Sequence, residues 1–467
     1  MSNSRKKKFF PHLTIIDTAA KGKTLAKTAE GIPIFLAEGV PGDVVDIQTY
    51  RKRKGFFEGR IARYHKKSDL RIPPVCEHFG ICGGCKWQHM SYAAQLQFKE
   101  KEVSQNLQRI GGVTPQTIDP ILGCSSPYFY RNKMEFSFSS NRWMTSEEIN
   151  GEEELNKNAL GFHKPGMWDK IVDIKKCHLQ ANPSNAIRNE VKRYALEHQL
   201  SFFNPKDQSG FLRSLMIRNS TNGQLMVLLQ ATRKDKALEP LLDHLQSVFP
   251  EITALLYTIN TKGNDSLYDQ DIICHAGKPY IVEEMEGLAF NIGAKTFYQT
   301  NSTQAHVLYT IVREFAQLRP EDVVYDLYTG IGTIAQFIAG AVKKVVGIDV
   351  VPESIESANE NAKINNITNV SFEAGDMKTI FTDSFVKRHG RAQVVITDPP
   401  RDGMHKAVIM QLLALAPDRI VYVSCNSATQ ARDLALLKTA YSPVRSQAVD
   451  MFPQTHHVEN VVLLEKK

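Results

Sequence analysis

Arg419-Ile-Val-Tyr-Val-Ser-Cys425-Asn-Ser427 reads as a buried parallel strand that delivers a thiol at its C-terminal end. Continuous apolar, β-branched and aromatic character, without polar alternation, is what a strand covered on both faces requires. Upstream, another apolar run ends in Asp398-Pro-Pro-Arg401. Further upstream, Tyr325-Asp-Leu-Tyr-Thr-Gly-Ile-Gly332 runs from a strand into a glycine turn. Open α/β sheets bind ligands outside the carboxyl ends of their strands. A thiol, an Asp-Pro-Pro loop and a glycine turn therefore face one crevice.

The surrounding texture agrees. Apolar runs at 323–327, 345–349, 370–374, 393–397 and 419–424 alternate with helical patterns such as Ser354–Ile364. Two last runs, Ser446–Met451 and Val458–Leu464, face each other across Pro453 with no room for a helix. Five crossover-linked strands and a terminal hairpin predict a doubly wound α/β sheet with one antiparallel strand. That pattern matches a seven-stranded S-adenosylmethionine methyltransferase sheet better than an all-parallel nicotinamide fold.

Toward the amino terminus the pattern changes. Short β-like runs at Leu13–Thr18, Ile32–Leu36, Val44–Tyr50 and Phe56–Tyr64 predict a small barrel, with Pro33 suited to an edge strand. Arg51–Lys54 falls in a hairpin loop beside Tyr50, Phe56 and Phe57, a mixture suited to phosphate contact and base stacking. A helix is predicted from Tyr92 to Ile110, ended by Gly111. Residues 120–290 read as antiparallel sheet with helices, and Asn222-Gly223 marks a hairpin between Ser214–Arg218 and Gln224–Gln230. The expected units are a barrel at 1–68, a cysteine-rich loop and helix at 69–111, a central α+β region at 112–290 and the α/β domain at 291–467.

At 467 residues and 42% apolar content, the chain has room for about three domains. No amino-terminal apolar run follows a charged start, and no stretch is long enough to span a bilayer. Seven cysteines, an odd number, do not suggest a secreted disulfide framework. A soluble, cytoplasmic monomer with no membrane partner is expected. The net charge of +7 is unevenly placed: residues 1–71 hold 16 Lys and Arg against 7 Asp and Glu, and the remainder is slightly acidic. Clusters such as Arg5–Lys8 and Arg51–Lys54 suggest a polyanion, with nucleic acid the commonest.

Five groups of residues carry chemistry. Gly330-Ile-Gly332-Thr-Ile-Ala335 lets backbone approach a cofactor closely, and Asp349, ending the next strand, can accept ribose hydroxyls. By itself this turn fits a dinucleotide equally well. In Asp398-Pro-Pro-Arg401 two prolines stiffen a loop that holds a carboxylate, and Arg401 stands where amino-group methyltransferases place an aromatic. Cys425 precedes Asn-Ser-Ala-Thr, a helix start that can lower a thiol pKa. Pro453-Gln-Thr-His-His-Val-Glu459 offers His457 and Glu459 as bases, on one face of a strand by alternation. Cys76-x5-Cys82-x2-Cys85, with Cys177 as the obvious fourth thiolate, suggests a metal site wrapped by Gly83-Gly84, and zinc and [4Fe-4S] both accept such ligands. Cys124 and Cys274 look structural.

On these residues the chain resembles the RNA 5-methyluridine methyltransferases, and among them the 23S rRNA (uracil-5-)-methyltransferases. The resemblance spans essentially the whole chain. It implies a TRAM-like RNA-binding barrel and a [4Fe-4S] cluster on Cys76, Cys82, Cys85 and Cys177. Phe297-Tyr-Gln299-x-Asn301 is similar to the family's cofactor segment. The likeness implies S-adenosylmethionine contacts from Gln299, Tyr328, Thr333, Asp349, Asp376 and Asp398. It further implies Cys425 as nucleophile and Glu459 as general base. The chemistry is consistent: uracil C5 is a poor nucleophile until a thiolate adds at C6 and makes an enolate. Three departures stand out: Asp349 where Glu is commoner, Thr333 for an amide, and Gln454 where a His is common. Alternative readings are an RNA 5-methylcytosine methyltransferase, a tRNA uridine as substrate, and a non-catalytic RNA-binding protein. The first would carry a second cysteine in an Asp-Ala-Pro-Cys loop, where this chain has Asp398-Pro-Pro-Arg401.

Overall fold

Residues 7–152 and 155–467 are described by a computed structural model; Arg5 and Lys6 of the basic cluster lie outside the described residues. Strands β1 (Phe9–Ala19), β2 (Lys23–Lys27), β3 (Pro33–Leu36), β4 (Val44–Arg53) and β5 (Phe56–Lys66) close a barrel in the order β1-β2-β3-β5-β4. Alternate residues point inward, so Ile15, Ala26, Ile34, Leu36, Val45, Ile47 and Phe57 form its core. β2 escapes the apolar pattern because lysines at both ends flank its two buried positions, Thr24 and Ala26. Pro33 is not on an edge. It opens β3, which pairs on both sides, and a strand's first position tolerates the missing N–H. Phe57 is likewise no stacking platform: it is 3% exposed, whereas Tyr50 beside Arg51 is 55% exposed.

The cysteine loop leads into α1 (Tyr92–Asn106). The helix continues through a wider turn, Leu107–Gly111, and Gly112 in the left-handed region ends it, one residue beyond the expected stop. Strand β6 (Thr117–Leu122) then pairs in parallel with a strand more than three hundred residues later and so belongs to the carboxyl-terminal sheet.

The central region holds β7 (Lys133–Ser139), α2 (Ser146–Asn150), β8 (Ala159–His163), β9 (Ile171–Asp173) and α3 (Ser184–Glu197). It continues with β10 (Leu212–Asn219), β11 (Leu225–Ala231), α4 (Leu238–Val248), β12 (Ile252–Ile259) and β13 (Ile273–Gly277). These strands form one seven-stranded sheet, mostly antiparallel, with the expected hairpin between β10 and β11. One face is covered by α3 and α4. The other shares a continuous apolar core with the hairpin β14 (Tyr280–Met285) and β15 (Leu288–Gly293) and with α5 (Ser302–Ala316).

The carboxyl-terminal domain is the expected doubly wound sheet. Its elements are β16 (Val323–Leu327), α6 (Thr333–Ile338), β17 (Lys344–Asp349), α7 (Pro352–Ile364), β18 (Val370–Ala374) and α8 (Asp383–His389). They are followed by β19 (Val394–Thr397), α9 (Lys406–Leu415), β20 (Arg419–Ser424), α10 (Ser427–Leu437), β21 (Tyr441–Val449) and β22 (Glu459–Lys466). The strand order is β18-β17-β16-β19-β20-β22-β21-β6. β22 is antiparallel to both neighbours, so seven strands are as expected and β6 adds an eighth. The carboxyl ends of β16, β17, β19 and β20 all lie on one edge, where the site is built.

Candidate active site

Cys425 and Glu459 meet where two strands end. β20 and β22 pair antiparallel as far as Ser424 opposite Asn460, so Cys425 leaves β20 at the point where Glu459 begins β22. The two are close enough for the Glu459 carboxylate to act on the Cys425 thiol. Asn426 caps α10, its side chain accepting from the Ala428 N–H, while its Nδ2 donates to the Arg401 carbonyl at 3.0 Å. The Thr429 hydroxyl donates to the same carbonyl at 3.1 Å. The 398–401 loop is thereby tied to the thiol turn, which brings Asp398 and Arg401 beside Cys425.

The electrostatics differ from what the helix start suggests. The Cys425 thiol is pushed up to about 12, chiefly by burial, then by the negative fields of Glu459 and Asp398. Arg401 opposes these only weakly. Glu459, 4% exposed, is raised well above the ordinary carboxyl range by burial and then by Asp398, and its carboxylate makes no hydrogen bond among the described residues. Asp398 is raised to about 6 by burial. Asp326 is raised to about 7 by burial, although the Thr329 hydroxyl donates to it at 2.6 Å. This acidic well thus lacks enough positive charge of its own, the environment that a sulfonium and an ammonium group would satisfy.

The glycine turn follows β16. Tyr328 is held at φ 63°, a conformation rare for a bulky residue, and Gly332 at φ 77°. A Cβ on Gly332 would meet the Phe372 ring at 2.6 Å, so only glycine fits. Asp349 accepts from the Gly330 N–H at 2.9 Å and the Val351 N–H at 3.0 Å, which ties its carboxylate to the turn. The shorter acid therefore has a local structural task as well. Thr333 opens α6, and Asp376 is exposed in the turn after β18; burial, then Asp433 and Asp376, raise the Tyr328 hydroxyl. Gln299 lies buried in the loop before α5, where its carbonyl accepts from Asn132 at 2.8 Å, and Phe297 beside it is 69% exposed.

The loop between β21 and β22 is fastened to the cysteine segment. The Gln454 carbonyl accepts from the N–H groups of Lys86 and Trp87 at 2.8 and 3.0 Å. The Gln454 and Gln95 side chains hydrogen-bond at 3.0 Å, and Gln95 Oε1 also accepts from the Gln454 N–H. Gln454 thus faces α1 rather than Cys425. Behind it, Lys99 donates to Asp450 at 2.6 Å in an ion pair with neither side chain exposed, and the Tyr92 hydroxyl donates to Asp450. His457 lies in this loop and not on β22, so alternation does not align it with Glu459. Burial, then Arg401, pushes His457 down to about 4.

Cys76, Cys82, Cys85 and Cys177 all line one cavity of about 470 Å³, with Phe297 and Tyr298 on its wall. Gly83 is at φ 73° with Pro165 against it, where a Cβ would clash at 2.2 Å. Among the described residues no three of the four sulfurs lie within 4.8 Å of one another. A zinc tetrahedron, with Zn–S near 2.3 Å, needs sulfurs about 3.8 Å apart. Burial and mutual repulsion raise the Cys76 and Cys85 thiols, the latter to about 12. Cys124 is buried near Asn301, whereas Cys274 is exposed on β13.

Sequence reasoning did not single out Asp326, Lys99 or Asp450 as parts of this region. An aspartate inside the apolar run Val323–Leu327 was the available signal for the first. The ion pair joins residues separated by 351 positions and has no local signature.

A constrained glycine turn at the carboxyl end of β16, with an acidic well beside it that a cationic methyl donor would balance, is what an S-adenosylmethionine-dependent methyltransferase requires. Residues 272–467 match the family model described as tRNA (Uracil-5-)-methyltransferase. A relative from Bacteroides thetaiotaomicron, described as an "Uncharacterized RNA methyltransferase", is 51% identical over 96% of this chain and 99% of its own. Another from Chlorobaculum tepidum is 38% identical over 97% and 96%. The crystal structure of Pyrococcus abyssi tRNA (uracil-54, C5)-methyltransferase in complex with S-adenosyl-L-homocysteine is also similar. It is 27% identical with a TM-score of 0.74, over 97% of this chain and 100% of that one. The chain belongs to the RNA (uracil-5-)-methyltransferase family, and is an S-adenosylmethionine-dependent enzyme acting on RNA. Among the described residues no helix is long and apolar enough to cross a membrane.

Proposed function

We propose that this enzyme methylates C5 of a uridine in 23S rRNA through a covalent bond between Cys425 and C6. The placement of Cys425, just beyond the end of β20, beside Glu459 at the start of β22 is the observation that carries this reading. S-adenosylmethionine, held by Gln299, Tyr328, Thr333, Asp349, Asp376 and Asp398, supplies the methyl group. The target base leaves its stack to reach the crevice. The Cys425 thiol gives up its proton to water as its sulfur bonds to C6, and the C5–C6 π electrons form an enolate. C5 takes the methyl group as the donor's sulfonium–methyl bond breaks, its electron pair staying on the departing S-adenosylhomocysteine sulfur. Glu459 removes the C5 proton, and the electrons of that C–H bond restore the double bond and expel the sulfur. The raised affinity of Glu459 for a proton suits it to this step. Asp398 is fixed by its proline loop against the thiol turn, and Arg401 tempers the negative field on both reacting groups.

Cys76, Cys82, Cys85 and Cys177 would hold a [4Fe-4S] cluster. The cavity that all four cysteines line supports a shared metal site. Such a cluster would cross-link the 76–85 loop to the central region, and none of the methyl-transfer steps requires its electrons. The amino-terminal barrel, with its basic β4–β5 hairpin, serves as an RNA anchor of TRAM type, and the enzyme works as a cytoplasmic monomer.

A second substrate, a tRNA uridine, is favoured by the similarity to the Pyrococcus abyssi enzyme along the full chain. Incubation with 5-fluorouridine-substituted rRNA and tRNA, followed by mass spectrometry, tests the whole reading. A cofactor-dependent adduct on Cys425 with the rRNA alone is expected. An adduct with tRNA alone transfers the reading to that substrate, and no adduct with either removes the covalent mechanism.

A further inference from the structure

We propose that His12, Asp46 and His65, on one side of the amino-terminal barrel, form a binding site for a divalent transition-metal ion of the zinc class. The three residues come from neighbouring strands β1, β4 and β5, and one ligand atom from each lies within 4.8 Å of the others. His65 Nε2 is 2.7 Å from Asp46 Oδ1, and His12 Nδ1 is 3.9 Å from the same oxygen. The two imidazole rings stack with centroids 3.8 Å apart and planes 22° apart.

The backbone supplies a second, independent sign. His12 sits at φ 52°, the left-handed region, at an irregularity of β1 between Phe10 and Leu13. Its N–H donates to Asp46 Oδ1 at 2.9 Å, which locks the bulge. Such strain persists only where the surroundings enforce it, and it concentrates at functional positions. Here it lays the His12 ring over His65 beside the carboxylate.

Two imidazoles and one carboxylate are a donor set that zinc accepts at about 2.0–2.2 Å, and three protein ligands leave a fourth position open. The Asp46 carboxylate is buried, and His65 is exposed as a residue although only 20% of its side chain is accessible. The His12 side chain is 69% exposed, so that ring has the freedom to close on an ion. The metal site itself does not depend on the substrate, the covalent mechanism or the four-cysteine cavity.

Cobalt(II) is the probe, titrated into the full-length protein under anaerobic conditions. Nitrogen and oxygen ligation gives weak visible bands, whereas thiolate ligation adds intense near-ultraviolet charge-transfer absorption, which separates this site from the cysteines. One cobalt per chain of the first kind is expected, displaced by zinc and retained in Cys76→Ser. Binding should weaken at least about tenfold in His12→Ala, which alters an exposed side chain, and in His65→Ala, with circular dichroism confirming the fold; each loss corresponds to about 1.4 kcal/mol or more. Cobalt bound only with thiolate absorption, or equally well by both histidine variants, would overturn the assignment.

Discussion

Cys425 and Glu459 occupy adjacent positions in space yet fail in different ways when changed. In the proposed mechanism Cys425→Ala removes the sulfur that bonds to C6, so both methylation and adduct formation should disappear. Glu459→Gln keeps the shape of the site but cannot take the C5 proton, so attack and methyl transfer should proceed and release should stall. A methylated RNA–protein complex on a denaturing gel is the expected result. Rapid turnover by Glu459→Gln would move the base elsewhere, and the low pKa of His457 makes it a weak replacement at neutral pH. Asp326 gives a prediction in pH. Its folded pKa of about 7 lies above its ordinary 3.8, so the folded protein holds a proton that the unfolded chain has released. Stability from this group is full below the unfolded value and falls as pH rises through the folded value. The ligand-free wild type should therefore lose stability relative to Asp326→Asn between about pH 4 and pH 7, by a few kcal/mol, in denaturant titrations. A constant difference across that window would place the raised proton affinity elsewhere. The direction of the Cys425 shift was not legible in the sequence. The helix start beside it is local, whereas the burial that dominates the shift, and the carboxylates that add to it from β22 and the 398–401 loop, come from tertiary packing.

Elements read well where their physics is local. The strands 323–327, 370–374 and 419–424 coincide with their apolar runs because parallel strands covered by helices need continuous apolar character. β6 was hidden for the opposite reason. Thr117-Ile-Asp-Pro-Ile-Leu122 contains a proline and an acid, and its partner β21 lies far along the chain. α1 and the β21–β22 loop show what such distant pairing does. Lys99→Met strands Asp450 without its cation, and removing one partner of a buried pair typically costs about 3–5 kcal/mol. A large drop in thermal midpoint is expected, and partial recovery in Lys99→Met with Asp450→Leu. Equal midpoints for wild type and the single variant would show that the pair holds nothing together. The cysteine loop makes its own prediction: anaerobically purified protein should be brown, with about four irons per chain. Stoichiometric zinc without visible absorption would remove the cluster assignment.

Across the whole molecule, the placement of charge argues for a division of labour. The excess positive charge sits in residues 1–71, while the crevice at the strand ends is acidic. An acidic well suits a cationic methyl donor but repels RNA phosphates, so the polyanion must be held from elsewhere. The β4–β5 hairpin is built for that: Arg51, Lys52 and Arg53 are exposed at its tip, with Tyr50 exposed beside them. The barrel is also packed close to the catalytic loop, because the His456 ring comes within 3.2 Å of where a Cβ on Gly22 would stand. Deleting the barrel would therefore disturb both functions, and point changes at the hairpin tip are the cleaner test. Replacing Arg51, Lys52 and Arg53 by serine should weaken RNA binding and flatten its dependence on salt. Each lost phosphate contact should lower the slope of log affinity against log salt by roughly 0.7–0.9. Turnover on saturating short RNA should change much less, since the three residues belong to the barrel and not to the carboxyl-terminal sheet. An unchanged salt slope with weakened turnover would instead mean that the hairpin acts on the crevice, and that another surface anchors the RNA.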